Sequence, residues 1–165
     1  MAGAPAMNNT LAIAEEDPRS GESLVLIDEM TAFSRQTYPE DDENGIVLAT
    51  PEELAKGVFV VARLDGAAVG IGALLAHPPV DGLAAMEVKR MFVREQVRGR
   101  RIAEQVLRWL EIIARTRGVQ KLVLLCGPRQ PAALRLYERC GYTVRSAYGK
   151  YQTHPLSIFL EKRLP

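Results

Sequence analysis

The sequence predicts a single α/β domain, on three observations. Apolar residues recur at helical spacing in three segments, β-type apolar runs stand between them, and Gly or Pro marks the junctions. Taken in order, the segments read β-α-β-β-β-α-β-α-β. With 165 residues, 47% hydrophobic and 25% charged, the chain has material for one sizeable core. Residues 1–8 are expected to be a flexible N-terminus and residues 9–165 the domain.

TLAIAEE is the first strand, interrupted by Asp17, Pro18 and Gly21. In SLVLIDEMTAFSRQTY the apolar residues Leu24, Ile27, Met30 and Phe33 recur every three positions, which predicts an amphipathic helix capped at Ser23. PEDDENG reads as an acidic loop. TPEEL starts a short helix, with Thr50 as N-cap, Pro51 at the first position and Glu53 completing a capping box. GVFVVARLDGAAVGIGALLAHP carries two strands joined across Asp65-Gly66, and PPVDGL leads through a second hairpin into AAMEVKRMFV. Strict alternation in that strand places Glu87, Lys89 and Met91 on one face and Val88, Arg90 and Phe92 on the other.

Ile102, Val106, Leu110 and Ile113 make one helical stripe with Trp109 in or beside it, and Gly118 supplies the stop. KLVLLCG is a continuous apolar strand of the kind buried on both faces. PAALRLYERC is a helix between Pro131 and Gly141, and PLSIFLEKRL is the last strand.

Composition narrows the function classes. No run approaches the roughly 20 apolar residues needed to span a bilayer, and MAGAPAMNNT lacks the features of a signal peptide, so a cytoplasmic protein without membrane contact is expected. Cys126 and Cys140 have no partner at metal-ligand spacing and read as reduced thiols, in the core or near the site. His77 and His154 stand too far apart for a metal site, so no metal is expected. The net charge of +1 conceals a split: residues 1–86 hold 4 Lys and Arg against 14 Asp and Glu, and residues 87–165 hold 17 against 6. The second half is built to meet an anion, or the two halves complement each other across one fold. Nucleic acid is not expected, because no aromatic-interleaved basic stripe accompanies the arginines.

Those arginines concentrate in REQVRGRRIAEQ. Arg98, Arg100 and Arg101 stand where a helix begins, and a helix N-terminus, with unpaired N–H groups and partial positive charge, favours anions over cations. A strand ending at MFV, a turn containing Gly99 and a helix starting at RRIA form a backbone-amide cradle for phosphates or, alternatively, a solvated basic turn. Neither GxxxxGK nor GxGxxG is present.

At these residues the chain resembles the GNAT superfamily of N-acetyltransferases, whose motif Q/R-x-x-G-x-G/A opens the central helix and holds the pyrophosphate of acetyl-CoA. Arg98, Arg101 and Ala103 take its first, fourth and sixth places, with Arg101 where the family usually has Gly. EVKRMFVRE resembles the family's fourth strand. RQPAALRLYERCGY resembles its second signature, with Gln130 where Asn is frequent and Tyr137 in the place of the tyrosine near the thioester sulfur. The resemblance implies a mixed, mostly antiparallel central sheet flanked by helices, with strands four and five splayed to hold CoA. It also implies cofactor contacts at Met91, Phe92, Val93, Arg98, Gly99, Arg100, Arg101, Ile102, Ala103 and Gln130.

The implied reaction is acetyl transfer from acetyl-CoA directly to a primary amine of a small molecule or protein. An alkyl ammonium, with a pKa of about 10.4, must lose a proton before attack. Glu87 is the candidate base, by the face it shares with Met91, or else a carboxylate paired with a neighbouring cation. The leaving thiolate calls for a hydroxyl donor, for which Tyr137 is the candidate, or else a core tyrosine. Residues 30–50 and 146–156, with Tyr148 and Tyr151, are expected to wall the acceptor site; Glu40 to Glu43 either attract a cationic substrate or form a solvated loop. A non-catalytic acyl-CoA sensor is the alternative, and the oligomeric state, a homodimer included, stays open.

Overall fold

The computed structural model describes residues 9–41, 43, 47–149 and 157–165. Residues 1–8, Tyr151, His154 and most of the expected 146–156 wall lie outside them. The strands are β1 (Leu11–Glu15), β2 (Val58–Leu64), β3 (Ala67–Val80), β4 (Leu83–Val93), β5 (Lys121–Cys126), β6 (Thr143–Arg145) and β7 (Ile158–Arg163). They form one sheet in the order β1-β2-β3-β4-β5-β7-β6, antiparallel throughout except for the parallel pair β4–β5. Helices α1 (Gly21–Thr37) and α2 (Pro51–Leu54) pack on one face, around Leu26, Ile27, Leu54, Phe59 and Ile71. Helices α3 (Ile102–Thr116) and α4 (Pro131–Arg139) cover the other, around Val106, Leu110, Leu122 and Tyr137. No helix among the described residues is long and apolar enough to cross a membrane.

Local signals place most boundaries. At α2 the Thr50 hydroxyl accepts from the Glu53 N–H at 3.2 Å and the Glu53 carboxylate accepts from the Thr50 N–H at 2.8 Å. The two hairpins turn at Asp65-Gly66 and Asp81-Gly82. Helix α1 begins earlier than predicted: Ser20 is the N-cap residue, and Ser23 is buried inside the first turn, its hydroxyl accepting from Ser20 at 3.1 Å. Strand β6 was not foreseen. Its residues Thr143 and Val144 are exposed, so it has no alternating pattern and exists by pairing with β7.

The alternation expected of β4 is corrected. Ile71 pairs with Phe92 and Ala73 with Lys89, so Gly72 alone opposes Arg90 and Met91, and Arg90 takes φ +56°. This bulge flips the parity of the strand. Met86 and Val88 before it, and Met91 and Val93 after it, all face α3, whereas Phe92 packs on the α1 side. Gly72 is required by this arrangement: a Cβ there would lie 2.7 Å from Val106 Cγ1 and 2.8 Å from Met91 Sδ.

Strands β4 and β5 pair only at Ala85–Lys121, Met86–Leu122 and Glu87–Val123. Beyond Glu87 they part, while β4 continues along β3 and β5 along β7. Each strand therefore turns an open backbone edge toward the other across the gap. At the closed end Lys121 Nζ lies 2.7 Å from Asp81 and 2.8 Å from Glu161, and Arg145 reaches the same two carboxylates at 2.9 and 2.6 Å.

Candidate active site

The gap opens into a groove of about 730 Å³. Val88 to Val93 of β4, Leu125 and Cys126 of β5, the approach to α3 at Arg98, Gly99 and Arg101 to Glu104, and the α4 face at Gln130 to Ala133, Leu136 and Tyr137 line it. Met30, Phe33 and residues 47–49 close it on the α1 side.

One mouth of the groove is the N-terminus of α3. Gly99 has φ +82°, and Arg101, the N-cap residue, sits at φ 60°, ψ 24° without offering a side-chain cap. Arg101 thus adopts the left-handed conformation that the glycine of the motif would supply, at roughly 1–2 kcal/mol for a residue with a Cβ. The first N–H groups of α3 face the groove uncapped beside Arg98 and Arg101, which favours an anion. Arg98 is positioned twice: its Nε donates to the Val93 carbonyl at 3.1 Å and its guanidinium lies 5.4 Å from the centre of the Phe33 ring. The Arg100 side chain turns the other way, toward Asn9 Oδ1 at 3.4 Å.

Deeper in, Tyr137 projects from α4 into the groove wall and is 7% exposed. Its ring meets that of Tyr142 edge-on at 5.9 Å; the Tyr142 hydroxyl donates to Glu111 at 3.1 Å, and Lys162 Nζ donates to the same carboxylate at 3.0 Å. Tyr137 is therefore backed by a fixed partner. Burial, followed by the neighbouring Cys126 and Cys140, pushes its hydroxyl above the ordinary tyrosine range, so it stays protonated at neutral pH. Burial also pushes the Cys126 thiol up to about 11. Cys126 Sγ lies 3.9 Å from Gln130 Oε1, at the head of α4.

Glu87 stands differently from its sequence expectation. Because of the bulge it does not share a face with Met91, and the groove wall begins one residue later, at Val88. Its carboxylate is buried; Oε1 lies 2.6 Å from Lys89 Nζ, and Oε2 has no hydrogen-bond partner among the described residues. Lys89 itself lines the groove.

Sequence reasoning passed over three groups that shape the site. Tyr38, at the end of α1, accepts from the Arg129 N–H at 2.9 Å and carries the Arg129 guanidinium 5.2 Å from its ring centre. Arg129 also pairs with Glu40 at 2.7 Å, so the acidic segment anchors the β5–α4 loop. Cys126, expected as a core or near-site thiol, reaches the groove. Arg90 enters it through the bulge, which no sequence period announces. Among the described residues no cluster of three or more His, Cys, Asp and Glu could hold a metal ion.

A mixed sheet whose parallel strands part beside an uncapped, arginine-flanked helix N-terminus is the α/β architecture of the acetyltransferase class. The chain belongs to the Acetyltransferase (GNAT) family, whose sequence pattern matches residues 23–142. It is 36% identical over 156 residues to the IAA acetyltransferase of Azospirillum brasilense, across 93% of this chain and 98% of that one. The crystal structure of a candidate acyl-CoA N-acyltransferase from Klebsiella pneumoniae subsp. pneumoniae is similar at TM-score 0.75 and 32% identity, over 95% of this chain and 99% of that one. A GNAT family acetyltransferase from Elizabethkingia anophelis, solved with acetyl-CoA bound, shares the fold at TM-score 0.66 and 18% identity, over 95% and 99% of the two chains.

Proposed function

We propose that this acetyltransferase takes its acetyl group from acetyl-CoA and passes it directly to a primary amine of a small molecule or protein. The observation that carries the reading is the groove itself, with an anion-favouring helix end at one mouth and a protonated, buried Tyr137 within. In this reading Arg98, Gly99, Arg101, Ile102 and Ala103 hold the pyrophosphate. Arg100 contributes its main chain, and Gln130 flanks the thioester arm at the head of α4. Met91, Phe92 and Val93 offer the open edge of β4, which an extended amide-bearing arm joins as an added strand.

In the transfer, the amine nitrogen bonds to the thioester carbonyl carbon, the C–S bond breaks, sulfur leaves with the electron pair, and the amine gives up a proton. Tyr137, more weakly acidic than a thiol of pKa about 8.5, stabilises the leaving sulfur by donating a hydrogen bond rather than by surrendering its proton. Glu87, set back from the groove wall, receives the amine proton through water. Cys126, at about 11, stays a neutral thiol near pH 7, which favours direct transfer over an acetyl-cysteine step. The unbridged Cys126 and Cys140 fit a reducing, cytoplasmic setting.

The test is a calorimetric titration with acetyl-CoA, CoA and ATP, followed by thiol release against a panel of amines. Binding of acetyl-CoA and CoA with amine-dependent thiol release supports the reading. Binding without release across the panel would leave an acyl-CoA-binding module, and no CoA binding would end the assignment.

A further inference from the structure

The charge state of one groove residue bears on the acceptor. The half-buried arginines Arg63, Arg94 and Arg145 each have a carboxylate close by, Glu16 at 2.8 Å, Glu29 at 2.8 Å and Glu161 at 2.6 Å. Arg90 is buried more deeply, at 8% exposure, and has no carboxylate within ion-pair distance among the described residues. Its Nε and Nη2 donate to the Ala49 carbonyl at 3.2 and 2.9 Å, and its Nη1 donates to the Thr31 hydroxyl at 3.1 Å.

A guanidinium has five N–H donors. After these three bonds, one N–H on Nη1 and one on Nη2 have no acceptor among the described residues, two donors for the two oxygens of a carboxylate. The carboxylate whose charge acts on Arg90, Asp28, is exposed and not in contact; burial outweighs it and pulls the Arg90 pKa down, while the group stays charged at neutral pH. The charge of the adjacent Lys89 is met by Glu87 at 2.6 Å. Tethering one carbonyl and one hydroxyl does not require a cation, and a buried charge without a counter-charge is unfavourable. An anion from outside removes that imbalance.

The place of Arg90 says which anion. It lines the groove on the α1 side, bonded to Thr31 and Ala49 next to the lining residues Met30 and Leu48, whereas Arg98 and Arg101 stand at the α3 mouth. We propose that Arg90 receives a carboxylate of the acceptor, so that the amines acetylated are those carrying a carboxylate and an apolar body, of the apolar α-amino-acid type. This rests on the transferase reading above and names the substrate class of that same site. The apolar body lies against Met30 and Leu48, and the carboxylate on the bulge turns the amine toward the open edge of β4.

The experiment compares phenylalanine, its methyl ester and phenethylamine as acceptors with acetyl-CoA, alongside calorimetric titration of each into the CoA-loaded protein. The expected result is a kcat/KM for phenylalanine about ten to a hundredfold above those of its two neutralised analogues. That ratio should collapse toward one in Arg90→Met and recover in part in Arg90→Lys. Equal rates for the three compounds in the unaltered protein, or a ratio unchanged in Arg90→Met, would overturn the proposal, and the first of these comparisons does not depend on any variant folding. Carboxylate-dependent binding without turnover would uphold the Arg90 assignment while the transferase reading fails; neither turnover nor carboxylate-dependent binding would sink the assignment while CoA binding stands apart.

Discussion

Strands β4 and β5 form one parallel pair with two unlike ends. At the closed end three residue pairs hold the strands together, and two cations there share two anions: Lys121 and Arg145 meet Asp81 and Glu161 at 2.6 to 2.9 Å. At the open end the backbone edges part; Lys89 and Arg129 keep their carboxylates, but two cations are left over, Arg98 bonded to a carbonyl and Arg90 to a carbonyl and a hydroxyl. The contrast shows how one sheet divides its work. Charge is neutralised within the protein where the strands must stay together, and it is held in reserve where a ligand is to complete the structure.

The strongest way to break the open end is to reverse its charge. Arg98→Glu with Arg101→Glu should weaken acetyl-CoA binding about a hundredfold or more, two charge-assisted contacts being replaced by repulsion, with an unchanged far-ultraviolet circular dichroism spectrum. Next in size, Tyr137→Phe should lower kcat by roughly ten to a hundredfold while the affinity for acetyl-CoA moves by less than about threefold. Because burial holds that hydroxyl above the usual tyrosine value of about 10, the contribution of Tyr137 should persist through pH 9 and be lost only at more alkaline pH. Gly72→Val drives a side chain into Val106 and Met91 beneath the bulge and should destabilise the protein by about 1–3 kcal/mol, read as a fall in Tm.

The closed end should answer differently. Lys121→Met removes two ion pairs at once and should cost about 1–2 kcal/mol of stability while leaving kcat/KM within about twofold. Glu161 is pushed up by burial, but hydrogen bonds from Lys121 and Arg145 outweigh that and leave it below its ordinary value; Asp81 is lowered by the same two residues. For such carboxylates the stabilisation is present above the unfolded pKa, near 4, and is lost as pH falls through the folded values. The Tm difference between the unaltered protein and Lys121→Met should therefore narrow below about pH 4.

What the sequence made legible was local. The capping box of Thr50 and Glu53, the Asp-Gly hairpins and the stripe from Ile102 to Ile113 are each written within a few residues, and the α3 motif lies within one turn of its helix. Arg101 marks the boundary of that legibility: it departs from the motif, yet the backbone adopts the left-handed turn regardless. The bulge at Arg90 escaped because alternation assumes a regular strand, and the tight packing over Gly72 opposite it involves Val106 and Leu110 of a helix that arrives later in the chain. Tyr38 and Arg129 meet across 91 positions, a contact that only the assembled fold creates. Glu87 was placed correctly on its strand but on the wrong face relative to Met91, since one extra residue inverts everything beyond it.

Amide hydrogen exchange with and without acetyl-CoA reads both ends of the β4–β5 pair in one experiment. Protection should rise at residues 91–93, 98–104 and 130–137, with little change at 83–87 and 121–123. Protection concentrated at the closed end, or none at the open one, would contradict the assignment of the groove to the acyl donor.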